Sequence, residues 1–162
     1  MPLKQAPVLI LVTEVAAAFV GFSYVVGAVR EDHPEAAVLR NSMRGVAELA
    51  LVAGAGALFA LVLNAFELAP EASWRIASIG LAVAWSAAHF YASKRFRRAG
   101  SQMTKLSNGL GPLVCSLAGI VLLFWNAVFP SAMSGPRFVL AVSLSLAASA
   151  LLFVFATFAS GE

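Results

Sequence analysis

Aspartate is almost missing from this chain. It holds one Asp (Asp32), two histidines (His33 and His89) and one cysteine (Cys115). A single cysteine excludes an internal disulfide. Two histidines on different segments give no H-E-x-x-H or comparable ligand spacing, and a lone aspartate leaves no Ser/His/Asp set to assemble. The glycine-rich "AGAGAL" lies within an apolar run and reads as a helix-packing surface, not a phosphate loop. Enzyme chemistry, a metal and a bound cofactor are therefore not expected.

Charge is also scarce, at 12% of residues, whereas 60% are hydrophobic, above the roughly 45–50% typical of soluble domains. A membrane span needs about 20 consecutive apolar residues. Five stretches approach that length, at 8–29, 46–66, 75–92, 113–129 and 138–159. Backbone groups in hydrocarbon must bond within their own segment, so each stretch is expected to be a helix. None shows the alternation of a barrel strand. The expected fold class is all-α, a polytopic integral membrane protein of five transmembrane helices. No repeat or linker divides the chain, which reads as a single transmembrane helical domain.

The connections carry their own signals. In "REDHPEAAVLRNSMRG", Asp32 and Glu35 form a helix-start pattern with Pro34 in the first turn. Val38, Leu39 and Met43 then share a face. This segment reads as a short interfacial amphipathic helix between the first two spans, with an extension of the second span as the alternative. "ELAPEAS" and "PSAMSGP" are short turns that force antiparallel neighbours, and residues 93–112 form the one longer connection.

Lys and Arg concentrate in the first loop (Arg30, Arg40, Arg44) and the third (Lys94, Arg95, Arg97, Arg98, Lys105). The second loop has Arg75 against Glu67 and Glu71, and the fourth only Arg137. The positive-inside rule then puts the amino terminus outside and the carboxyl terminus in the cytoplasm. The Ala-, Gly- and Arg-rich composition agrees with a bacterial inner membrane. The first span is too long, and too interrupted by Glu14, for a cleaved signal peptide. The net charge of +3 does not point to nucleic acid, because "KRFRR" directly follows a span. Lys94, Arg95, Arg97, Arg98 and Lys105 are read as topology anchors that meet lipid headgroups.

Polar residues inside the spans are the candidate functional groups. Glu14 falls on a helix face with Ala17, Ala18, Gly21 and Ala28, a small-residue surface of the kind through which membrane helices approach one another. Its carboxylate is thus expected to point at protein, roughly 9 Å below the outer end of its span. Ala50, Ala53, Ala57 and Ala60 form a second small stripe, and Ala141, Ser145, Ala148 and Ser149 a third, whose serines are expected to bond a neighbouring helix. By depth, Glu14, Asn64 and Asn126 form an outer polar layer and Glu48 and His89 an inner one. These five are the candidate ion or proton sites.

Two functions follow as expectations. One is ion or proton translocation by a homo-oligomer with Glu14 at its centre. The other is a non-transporting scaffold or accessory subunit that docks other membrane protein subunits. The apolar middle of the spans, crossed only by scattered serines and Tyr24, counts against a continuous path through the chain.

Overall fold

In the computed structural model, residues 4–29, 36–66, 68–98 and 106–158 are described, with only the backbone for 36–38, 95–98, 106–109 and 158. Five helices account for nearly all of them: α1 (Ala6–Val29), α2 (Ala36–Ala65), α3 (Pro70–Arg98), α4 (Leu106–Val128) and α5 (Ser134–Phe158). All five are long and apolar enough to cross a membrane. The chain is all-helical and has the character of a multi-pass membrane protein.

The short connections are built by local chemistry. After α2, the Phe66 N–H bonds the Leu63 carbonyl at 3.3 Å, and the Ser73 N–H then bonds the Ala69 carbonyl at 3.0 Å to open α3. Pro70 occupies the first helical position, where its missing donor costs nothing, and Glu71 meets the positive end of the helix dipole. At the other turn, Pro130 ends α4. The Ser131 N–H donates to Ser134 Oγ at 2.9 Å, and the Met133 N–H donates to Ser131 Oγ at 3.3 Å, so two serine side chains satisfy donors left over at the start of α5.

Two connections differ from the sequence reading. From Ala36 onward the segment expected to form a separate amphipathic helix is continuous with the second span, as an extension of α2. Leu39, Met43, Val46 and Ala47 are buried, so tertiary packing holds this first part of α2 on the bundle. The Asp32–Glu35 helix start with Pro34 lies outside the described residues, as do Arg30, Glu67 and Lys105. In the third connection, helix occupies 93–98 and 106–112. Lys and Arg are good helix formers and are favoured in a last turn. The second half of the connection is held by packing: a Cβ at Gly111 would sit in ordinary contact, 3.4 Å from Leu151. Pro112 is buried inside α4.

α2 and α5 are the central pair, running antiparallel. Ser145 Oγ donates to the Leu49 carbonyl at 3.2 Å, and Ser149 Oγ donates to the Val46 carbonyl at 2.9 Å. The expected stripes Ala50, Ala53, Ala57, Ala60 and Ala141, Ala148 are buried at 0–3% exposure. α1 packs on α2 and α5, and α4 packs on α3 and α5. The aromatic pairs Phe19–Phe153 (6.3 Å) and Trp74–Phe138 (5.5 Å) tie α1 and α3 to α5.

The other close crossings each place a glycine against the neighbouring helix. Gly54 of α2 faces Ala16 of α1, and Gly56 faces Leu81 of α3. The fully buried Trp85 of α3 brings Cη2 and Cζ3 of its indole up to Gly119 of α4, where a Cβ would come within 2.3 Å of the ring. Gly119→Ala is therefore expected to cost about 1–3 kcal/mol through overpacking and to lower the thermal unfolding temperature in detergent. A Cβ at Gly27 meets nothing within 4 Å. Gly27→Ala is expected to leave that temperature unchanged or slightly raised.

Candidate functional site

Glu14 is the most exposed of the candidate groups in its setting. It lies about 12 Å along α1 from Ala6, yet its side chain points out of the bundle, with Ala17, Ala18, Gly21 and Ala28 exposed around it. The sequence reading assigned Glu14 to the small-residue face correctly, but it expected that face to be covered by protein. Within the chain it is not. α1 buries the opposite face, through Leu9, Val12, Ala16 and Ser23, with Ala16 against Gly54 of α2. Glu14 has no hydrogen bond or ion pair among the described residues, and a Cβ at neighbouring Gly21 meets nothing within 4 Å.

Asn126, expected at the same depth, is elsewhere and has a different role. It is 1% exposed, and its amide nitrogen donates to Ser78 Oγ of α3 at 2.9 Å and to the Ser134 carbonyl of α5 at 3.0 Å. The carbonyl partner fixes the amide orientation, since a flipped group would set two acceptors face to face. One side chain thus joins three helices at the α4–α5 turn. Arg137 adds to the same turn, bonding Ser131 Oγ at 3.2 Å. Asn64 is half-buried near the end of α2. The outer layer of Glu14, Asn64 and Asn126 is therefore not one pocket: Glu14 faces outward from α1, whereas Asn126 sits among α3, α4 and α5.

The inner pair also separates. Glu48 accepts a bond from Arg44 Nε at 3.1 Å on its own helix. His89 is half-buried and stacks on Trp85 at 6.5 Å, one turn earlier on α3. No described contact joins the two.

Between them the polar groups mostly serve the backbone. Ser23 Oγ donates to the Val20 carbonyl, and Ser145 and Ser149 bond α2. Tyr24 and Ser86 are exposed. Trp85 Nε1, His89 Nε2 and Ser116 Oγ are buried without a partner among the described residues. These three belong to α3 and α4 and lead to no carboxylate. A relay of hydrogen bonds from Glu14 to Glu48 through the bundle is not formed by these residues.

A cavity of about 750 Å³ opens between α2 and α3. Arg44, Glu48, Tyr91 and Lys94 form one end, and Leu51, Val52 and Ala88 the other. The sequence reading puts Glu48 close to the depth of Arg44 and Lys94, but it does not include Tyr91 or a groove between the helices. The signal was present: Arg44, Glu48 and Leu51 follow at helical spacing on α2, as do Ala88, Tyr91 and Lys94 on α3. Arg95, Arg97 and Arg98 continue α3, with only their backbone described. No group of three or more His, Cys, Asp and Glu side chains that could hold a metal occurs among the described residues.

Comparison with known protein families, with curated proteins and with solved structures finds no match to the chain. Function has to be argued from these residues.

The three-helix junction at Asn126 makes a definite expectation. Asn126→Ala removes two buried hydrogen bonds and should cost about 1–3 kcal/mol, read as a lower unfolding temperature. Ser78→Ala should cost less. The double variant should lose less than the sum, because both single changes break the same bond. A residue that acted only on a passing ion would leave the unfolding temperature unchanged.

Proposed function

We propose that the protein is an assembling membrane subunit in which the Glu14 face of α1 packs against a second copy of the chain. The observation that carries this reading is a carboxylate deep in an apolar helix, turned outward, without a partner among the described residues, on a surface of small side chains. A charged group at the centre of a span costs about 2.5–3.5 kcal/mol on insertion scales. Hydrocarbon offers such a group nothing to bond. A second copy does: a protonated carboxylic acid is both donor and acceptor, so two Glu14 side chains across a twofold axis satisfy one another. Ala17, Ala18 and Gly21 would let the two backbones come close.

Both expectations for function pass through this seam. Ion or proton translocation, if centred on Glu14, runs between copies and not through the five-helix bundle, whose interior is mostly apolar and whose described polar groups form no hydrogen-bond relay inward from Glu14. The scaffold reading, in which the same face docks the helices of another membrane protein, is favoured by that apolar interior. For orientation we retain the amino terminus outside and the carboxyl terminus in the cytoplasm. Its support is that Arg40, Arg44 and Lys94 share one end of the antiparallel helices, while the turns at the other end are short and poorer in cations.

The test combines oligomer size with flux in proteoliposomes. Wild type should form dimers or larger species by single-molecule photobleaching. Gly21→Leu, which meets open space within the chain, should shift the population to monomers without changing secondary structure. Glu14→Ala should do the same. Glu14→Gln, which still donates and accepts, should retain the oligomer. Loss of proton or potassium flux in Glu14→Gln, with the oligomer intact, assigns transport to the seam. Wild-type flux equal to empty vesicles leaves assembly as the function. Monomers in every sample would overturn the proposal.

A further inference from the structure

The groove between α2 and α3 has a gradient that the Glu14 reading does not use. Along α2 its wall passes from Arg44 and Glu48 to Leu51 and Val52. Along the antiparallel α3 it passes from Lys94 and Tyr91 to Ala88. Charged groups therefore stand towards one end of the bundle on both helices, and apolar ones lie one to two turns further in. Leu51 and Tyr91 are 53% and 68% exposed, so the groove opens sideways along the bundle surface.

The charged end favours an anion. Two cations face one carboxylate, and Glu48 is already engaged. Its ion pair with Arg44 runs in the less favourable order for neighbours four apart on a helix. The pair therefore serves better to hold Arg44 at the groove than to stabilise α2. Arg44 uses only Nε in that bond and its side chain is 67% exposed, which leaves donors of the planar guanidinium free for a second acceptor. Lys94 Nζ lies 4.3 Å from the centre of the Phe90 ring. That contact positions the ammonium without neutralising it.

We propose that this groove is a binding site for an anionic phospholipid, with the phosphate between Arg44 and Lys94 and an acyl chain along Leu51, Val52 and Ala88. The cavity is of the size of small-molecule sites, about 300–1,000 Å³. A basic pocket between transmembrane helices at the headgroup level is where such lipids are held. A soluble anion would use the charged end and leave the apolar wall idle. A purely apolar occupant would leave Arg44 and Lys94 unmatched. Tyr91 suits the boundary, with its ring on the apolar side and its hydroxyl towards the headgroup.

The experiment is a lipid titration of the full chain in detergent, read by thermal unfolding. Dioleoylphosphatidylglycerol should raise the unfolding temperature saturably. Dioleoylphosphatidylcholine, with the same chains, and glycerol 3-phosphate, without chains, should not. Lys94→Gln should weaken the apparent affinity by about fivefold or more. Arg40→Gln, an equal loss of charge on an exposed residue outside the groove, should leave it unchanged. Ala88→Leu, which fills the apolar end without altering charge, should also weaken binding. Equal responses to the two lipids, an equal response to glycerol 3-phosphate, or equal losses in Lys94→Gln and Arg40→Gln would each overturn the assignment. The first would mean a general effect of lipid, the second a soluble-anion site, and the third an unspecific attraction of the basic end.

Discussion

Two serine hydroxyls hold the centre of this protein together. Ser145 and Ser149 of α5 donate to the Leu49 and Val46 carbonyls of α2, and in hydrocarbon such bonds have no competing water. Each contributes only about 0.6 kcal/mol by the measured average for membrane helices, so their importance lies in register more than in strength. They fix which turn of α5 faces which turn of α2, and with it the depth of every residue on the two helices. The alanine stripes around them let the backbones come close enough for a short side chain to reach across. α1, α3 and α4 then assemble on this pair.

The rule that governs the other crossings explains what could be read from the sequence and what could not. Each of these crossings has a glycine on one helix, and the residue that faces it ranges in size from alanine to tryptophan. Gly54 receives Ala16, Gly56 receives Leu81, and Gly119 receives Trp85. The stripes on α2 and α5 were legible because both faces are small and both are buried. The face of α1 that carries Glu14 is equally small, yet α1 packs through the opposite face, where Ala16 meets Gly54 of α2, and the Glu14 face is left outward. Periodicity shows which residues share a face. It does not show which of two acceptable faces a neighbour will take.

The five helices were legible from length and apolar content, and their two tight turns from Pro70, Pro130 and the adjacent serines. The helix ends near the basic residues were not. "KRFRR" has the composition of a connection but also the propensity of a helix, and α3 continues through it to Arg98. Asn126 shows a second limit. Depth alone placed it beside Glu14, whereas its partners are Ser78, 48 positions away in sequence, and Ser134. A buried amide with several small polar residues in reach is as well suited to tying helices as to meeting an ion, and only the fold decides between these. Arg44 and Glu48 were the reverse case, since their four-residue spacing was visible and their shared groove with Lys94 was not.

The two surfaces that remain open lie apart on the bundle. α1 packs on α2 and α5, while α3 packs on α2, α4 and α5, so the outward face of α1 and the α2–α3 groove are separated by the body of α2. Glu14 also lies towards the end of the bundle where α1 begins, and Lys94 towards the end where α3 finishes, which antiparallel packing makes the opposite end. A second copy seated on Glu14 would thus leave the groove facing lipid, and a lipid in the groove would leave Glu14 free to pair. Any coupling between the two would have to pass through α2, which carries Gly54 against α1 and Gly56 against α3. Those glycine contacts leave little room for α2 to shift against α1 or α3 without losing one crossing or the other. On the proposed readings, assembly through α1 and lipid binding between α2 and α3 would therefore be independent of one another.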